Sequence, residues 1–582
     1  MEKTKNKITG LQIMGIAASP GISIGKAFVI KKNEITPTGV LLKDENAVLK
    51  EIERFEIAVQ ISVDEVEAIK NNAELKLNDE EIAILETHIE FLTDPQIKED
   101  VIEKIKNEKK NANDSVKEVI ENAVELFRNM KDEYMSARAA DVLDTGNRIL
   151  KNLNPSSETN TKQFEANTII IAEDISPSDT LTIDINMVIG FATHVGGKTS
   201  HTAILAKSKG IPAVIGCGAA LSDIEQNDII IIDGSKGLVI NNPDSDCIEE
   251  YKIKKEIHDR QTELLKSLKD IPANTTDGTP IKLLANISNA DEMEDSLGYG
   301  AEGVGLFRTE LLFMNRVSFP TEEEQFEFYK QVAIKSRNKP VIVRTIDIGG
   351  DKQLSYFGLP DEENPFLGYR AIRICLDRKD IFITQLRAIL RASVHANFKI
   401  MFPMICNVEE LRMAKEILGE AKKELLDNNI EFDKNMQVGI MIEIPSAAIM
   451  ADILAKEVDF FSIGTNDLCQ YTLAVDRGNE KIKELYDPFN PAVLRLISYT
   501  IEQAHKHNIT VGICGELASD PLATLLLLGM GLDEFSMSAV SIPTIKNIII
   551  NNSHLRAKEV YQKVMEMDNS KTITTYLQEK KR

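Results

Sequence analysis

One histidine stands directly behind a glycine pair and two hydroxyl residues, in GGKTSHTAILAKSKGIPAVIG at residues 196–216. The glycines permit a tight turn. The apolar run after His201 has helical spacing, with Ile204 and Leu205 facing inward. His201 therefore sits near a helix N-terminus, where orphan amides and the helix dipole favour an anion such as phosphate. The same field disfavours a protonated imidazole and leaves a neutral nucleophile. A lone histidine in such a turn is usually incidental; within this whole string it reads as reactive.

A second set of groups lies far along the chain. Glu443 and Asp467 end two consecutive strand candidates, so they could share one hard cation; magnesium suits two carboxylates plus substrate oxygens and water. Arg308, Arg344 and Arg477 carry planar forks that clamp carboxylate and phosphate oxygens. Arg370, in NPFLGYRAIR, is a weaker fourth candidate. Cys514, in GICGE, ends a seventh strand candidate. A buried cysteine is usually inert packing, but beside a cationic site it could be a general acid. Taken singly, each arginine reads as a surface ion pair; together they describe an anion site.

These groups need a scaffold. From residue 275 to 575 eight short strand candidates follow one another: IKLLANI, GVGLFRTE, VIVRTID, KIMFPMI, VGIMIEIP, FFSIGTND, TVGICGE and DEFSMS. Most gaps carry a helical pattern, which predicts a (β/α)8 barrel of the TIM type over 273–582. Arg308, Arg344, Glu443, Asn466, Asp467 and Cys514 then fall at the strand ends, the C-terminal face where such barrels place their active sites. Residues 44–152 read as helices (Ile52, Phe55, Val59, Val66 and Ile69 in one stripe, for example), with a single proline at 95. They form a helical insert over 31–152. Short β-rich runs on either side, TIIIAED to GLVIN after it and ASPGISIG before it, predict one α/β domain from 1–30 plus 153–243. A charged, solvated connector helix spans 244–272.

The 582 residues suffice for several cores. The formal charge of −23 argues against a phosphate-backbone footprint and so against nucleic acid. Six scattered cysteines without C-x-x-C spacing indicate a reducing, cytoplasmic setting. No apolar run approaches the ~20 residues a membrane helix needs, so no membrane insertion is expected. No GxxxxGK[ST] or strand–helix GxGxxG string is present, so any phosphoryl donor need not be ATP.

GGKTSHTAILA, GLFRTE, VIVRTIDIGGDK, NPFLGYRAIR, IMFPM, EVDFFSIGTNDLCQYTLAVDRGN, CGELA and LLLLGMGLDEFSMS resemble enzyme I of the bacterial phosphoenolpyruvate-dependent sugar phosphotransferase system, in order, from about residue 14 to 550. The resemblance implies that His201 is phosphorylated on Nε2. It implies that Arg308, Arg344, Asn466 and Arg477 bind phosphoenolpyruvate with Asp467 beside them, that Glu443 and Asp467 hold Mg2+, and that Cys514 protonates the product to pyruvate. It further implies that the helical insert docks a histidine-containing phosphocarrier protein and that the barrel forms a homodimer. His194 departs from the family's common aspartate, and Lys207 from its arginine, which leaves the local charge and the pH dependence of His201 in question. Pyruvate phosphate dikinase and phosphoenolpyruvate synthase share these domains, but they add an ATP-binding domain for which the insert shows no glycine-rich loop. A non-catalytic scaffold is at odds with the intact set His201, Glu443, Asp467 and Cys514.

Overall fold

The computed structural model describes residues 10–30, 39, 41–70, 79–128, 139–154, 166–175, 185–197, 200–314, 316, 318–350, 354–359, 362–479 and 481–580. The chain forms two compact units, Met1–Gln261 and Thr262–Arg582.

In the first unit an eight-stranded mixed sheet carries the N-terminal strands β1 (Leu11–Met14), β2 (Ile16–Ser19) and β3 (Ile22–Ile30). It is completed by β4 (Thr168–Ala172), β5 (Val188–Thr193), β6 (Ala213–Ile215), β7 (Ile229–Asp233) and β8 (Leu238–Asn241). The spatial order is β1-β8-β7-β3-β4-β5-β6-β2. Strands β4 and β7 are unbroken apolar runs because both sheet faces are covered. Ile169 and Ile171 pack on one side and Ile170 on the other. Strands β3 and β4 are parallel neighbours, and the chain between them holds the helical bundle. Among the described residues its helices are Glu45–Lys70, Asp79–Thr93, Pro95–Asn107, Ala112–Arg128 and Ala139–Leu153. Their stripes meet in a separate core that includes Phe55, Val59, Val66, Leu85, Leu92, Val116 and Val119. Each fully buried aliphatic side chain there contributes about 1.5–3 kcal/mol. The helix Ser245–Ser267 is not solvated throughout. Its first turns pack Cys247 and Tyr251 against Ile231, Leu238 and Ile240, and Ile253, Ile257 and Leu264 beyond them are exposed.

The second unit is a closed, all-parallel barrel of eight strands. They are β9 (Lys282–Ile287), β10 (Val304–Arg308), β11 (Val341–Arg344), β12 (Phe398–Phe402), β13 (Val438–Ile442), β14 (Phe460–Ile463), β15 (Thr510–Ile513) and β16 (Glu534–Met537). All eight strand candidates form, and all but β9 end earlier than their runs suggest. Asn466 and Asp467 are consequently not at a strand end. Strand β14 stops at Ile463, Gly464 turns the chain, and both residues lie in the first turn of the helix Thr465–Leu473.

Candidate active site

His201 is the first residue of the helix His201–Lys209. Ser200 caps it, its Oγ accepting the Ala203 N–H at 3.4 Å, and Gly210 closes it in the left-handed region at φ 66°. Ala203 and Ala206 are buried, and Leu205 packs beside the Ile170 and Phe191 cluster, so the helix is held by its apolar face. The preceding segment is pinned by backbone: His194 N–H donates to Ala172, and Gly218 N–H donates to the His194 carbonyl. Lys207 is exposed in the last turn, where a positive charge suits the helix dipole. Lys198, Thr199 and the side chains of His201 and Ile204 lie outside the described residues.

At the C-terminal mouth of the barrel, Arg308 and Arg344 are register partners on β10 and β11. Arg308 is exposed; Arg344 is buried. Arg344 Nη2 donates to Glu310 Oε1 at 2.7 Å, and its Nη1 lies 3.0 Å from Asp347 Oδ2. Burial opposes its charge, but Glu310, Asp347 and Glu443 more than offset that and hold the guanidinium protonated. Arg370, the weaker candidate from the sequence, is as deeply placed. Its Nη2 pairs with Asp347 at 2.9 Å and Asp467 at 3.3 Å, and its Nη1 donates to the Tyr471 hydroxyl at 3.1 Å. Arg344 Nε and Arg370 Nε are buried with no partner among the described residues. Glu310, Asp347 and Tyr471 carry no signal of their own in the sequence; Glu310 and Asp347 stand two and three residues after Arg308 and Arg344 in RTE and RTID.

Glu443 follows β13 directly, 2 % exposed, with Oε1 accepting the Met404 N–H at 2.6 Å. Ile442 pairs with Ile463, which sets Glu443 opposite Gly464. A Cβ at position 464 would lie 2.9 Å from the Glu443 Cβ and 3.0 Å from its Oε2, so only glycine leaves the carboxylate its place. Burial pushes Glu443 up to about 8, with repulsion from Asp467 and Asp347 adding and Arg344 and Arg370 opposing. Four carboxylates, Glu310, Asp347, Glu443 and Asp467, thus surround two buried arginines. Burial and the neighbouring Asp467 and Asp347 disfavour the charged form of Glu443, a penalty that a divalent cation on these hard oxygen donors would relieve. Among the described residues no cluster of three or more ligating side chains forms a cage, so the fit is to two carboxylates with the rest of the shell left to substrate and water.

Cys514 immediately follows β15, 4 % exposed, among Leu306, Ile342, Met401, Met441 and Phe460 inside the barrel. Its N–H donates to Ile463 at 3.1 Å and its carbonyl accepts from Asn286 at 3.0 Å. Burial pushes its thiol up, against the pull of Arg344 and Arg308, so it carries its proton at neutral pH. Asn466 Oδ1 accepts the Glu516 N–H at 2.9 Å. Arg477 is at the rim, its Nη2 4.0 Å from Asp467.

A buried floor of paired arginines and carboxylates, with Arg308 and Arg477 at its rim and Cys514 beside it, suits a small anion taken together with a divalent cation. Three family models agree with that class. The chain matches the N-terminal domain of phosphoenolpyruvate-utilising enzymes over residues 14–138, their mobile domain over 164–237 and their phosphoenolpyruvate-binding domain over 262–554. The phosphoenolpyruvate-protein phosphotransferase of Bacillus sp. (strain S) is 45% identical over 98% of this chain and 98% of its own. That of Buchnera aphidicola is 46% identical over 96% and 98%. The NMR solution structure of an Enzyme I protein is 41% identical over 42% of this chain and 99% of its own, at a TM-score of 0.37. The chain belongs to the phosphoenolpyruvate-protein phosphotransferase family.

Proposed function

We propose that the chain takes the phosphoryl group of phosphoenolpyruvate on His201 and passes it to a histidine-containing phosphocarrier protein, as the first general step of sugar uptake by the phosphotransferase system. The observation that carries this is the barrel-mouth cluster of Arg344, Arg370, Glu443 and Asp467 beside the buried Cys514. In this reading Arg308, Arg344 and Arg477 clamp the carboxylate and phosphate oxygens, and Asn466 and Asp467 border the same ligand. Glu443 and Asp467 would hold Mg2+, which supplies charge neutralisation on the substrate oxygens when bound. Phosphoryl transfer is mostly positioning and electrostatics, so the chain's task is to fix the anion against His201. The His201 nitrogen forms a bond to phosphorus as the bond from phosphorus to the enol oxygen breaks. The enolate of pyruvate is left, and the Cys514 thiol protonates its methylene carbon; the thiolate recovers its proton from water.

The helical insert 31–152 is the docking surface for the carrier, and the barrel, 273–582, is the dimer domain. Among the described residues no helix is long and apolar enough to cross a membrane, in keeping with a cytoplasmic setting. The test is to mix the protein, Mg2+ and labelled phosphoenolpyruvate, with labelled ATP in parallel. Acid-labile, base-stable label from phosphoenolpyruvate alone is expected, and none on His201→Ala. Labelling of that variant, or label from ATP, overturns the reading.

A further inference from the structure

Arg344 is gripped by its backbone as well as by its fork, and the grip traces to one amide on the outside of the barrel. Gln385 lies on the helix Lys379–Ala392 and is fully buried. Its Oε1 accepts the Ile346 N–H at 2.9 Å. Its Nε2 donates to Thr309 Oγ1 at 3.2 Å and to the Tyr329 hydroxyl at 3.2 Å. Thr309 Oγ1 in turn donates to the Arg344 carbonyl at 3.0 Å. Tyr329 donates onward to Gln325 Oε1 at 3.2 Å, and Gln325 Nε2 to the Pro320 carbonyl at 3.1 Å. Thr309, Gln325, Tyr329 and Gln385 are all at most 1 % exposed.

This relay ties together two segments that leave the barrel side by side. One is Arg308-Thr309-Glu310, which supplies a rim arginine and an ion partner of Arg344. The other is Arg344 to Asp347, which supplies the buried arginine and its second partner. Strand β11 ends at Arg344, so Ile346 and Asp347 lie beyond the strand. Only an amide satisfies both ends: it must accept from Ile346 and donate to Thr309. An apolar replacement strands a buried N–H and a hydroxyl, and a carboxylate lacks the donors.

We propose that Gln385 is a positioning residue for phosphoenolpyruvate, acting through Arg344; the inference rests on the reading that Arg344 clamps the substrate. A clamp displaced by about 1 Å loses on the order of 10²-fold in rate, which sets the scale of the effect.

The test is a double-mutant cycle of Gln385→Met with Arg344→Lys, reading kcat, KM for phosphoenolpyruvate and Tm. Gln385→Met in the wild-type background is expected to lower kcat/KM by about 10–100-fold. In the Arg344→Lys background the same substitution is expected to cost less than about 3-fold in kcat/KM, because residues of one hydrogen-bond network are non-additive. An equal loss of kcat/KM in both backgrounds, or wild-type kcat/KM in folded Gln385→Met, overturns the proposal. Should Gln385→Met not fold, the isosteric Thr309→Val decides: the same direction of loss, absent in Arg344→Lys, supports it, and no loss overturns it. Wild-type kcat/KM in Arg344→Lys alone overturns the substrate-clamp reading itself, and the inference with it.

Discussion

Arg308 and Arg344 occupy the same register at the C-terminal ends of neighbouring parallel strands, yet one is exposed and the other is 7 % exposed. The difference separates two kinds of arginine at one site. Arg344 is part of the floor, and its removal takes from buried Glu310 its ion partner and leaves Asp347 paired with Arg370 alone. Arg308 has no such burial to relieve.

Stability and activity should therefore split between them. Arg344→Ala is expected to destabilise the barrel by about 3–5 kcal/mol, the cost of breaking a buried pair. Arg308→Ala is expected to stay within about 0.5 kcal/mol, as exposed substitutions do, while still lowering kcat/KM. Urea titrations of the two variants, alongside phosphoenolpyruvate kinetics, check this. Equal stability losses would place both arginines in the floor.

Glu443 supplies a second test. A cation that binds the folded site raises stability by mass action, about 2.7 kcal/mol at 100 times its Kd. Mg2+ is expected to raise the Tm of the wild type and to leave that of Glu443→Gln nearly unchanged. Chelation should abolish phosphoryl transfer in the wild type, with recovery on adding Mg2+ back. An undiminished Tm response in Glu443→Gln would move the cation elsewhere.

At the opposite face of the barrel, His505 Nε2 lies 3.0 Å from Asp533 Oδ2, and Asp533 also accepts the Val511 N–H at 2.9 Å. The hydrogen bond to Asp533 raises the His505 pKa, against a smaller desolvation cost. A histidine raised on folding stabilises fully below its unfolded value of about 6.5, and that contribution is lost as pH rises through the higher folded value. With His505 42 % exposed, the pair is screened and its effect small. The Tm difference between wild type and His505→Gln should shrink as pH rises from 6 to 9 and shrink in high salt, with kinetics unchanged. A difference that grows with pH would contradict the pairing.

The barrel was legible because its strands are buried on both faces and punctuated by glycine and proline, so IKLLANI through DEFSMS stand out as separate apolar runs. The buried arginine network was less so. Arg370 sits in no strand, between a 3-10 turn at Pro365–Leu367 and the helix Ile372–Asp377, and only folding carries it onto Asp347 and Asp467. Glu310 and Asp347 gain their meaning from the register of β10 against β11, which spacing along one chain does not contain. Gln385 lies about forty residues from the segment it holds, in a helix whose other buried positions are mostly apolar.

Cys514 separates two halves of the reaction. Moving phosphorus to His201 requires the arginines and the cation; making pyruvate also requires a proton on carbon, and water is poorly placed for that among Leu306, Ile342, Met441 and Phe460. Because burial raises the thiol pKa, the proton is present at neutral pH. The rival view is packing, the role Cys375 has, fully buried and with its thiol also pushed up by burial. The two views differ in what Cys514→Ala does. As proton donor, its loss should cost about 10²–10⁴ in turnover, with phosphoenolpyruvate affinity near normal. As packing, its loss should lower Tm and barely touch turnover. Solvent deuterium entering the pyruvate methyl group gives a readout that packing does not move: its stereochemical course should change in Cys514→Ala. Wild-type turnover with fully retained stereochemistry would remove Cys514 from the mechanism.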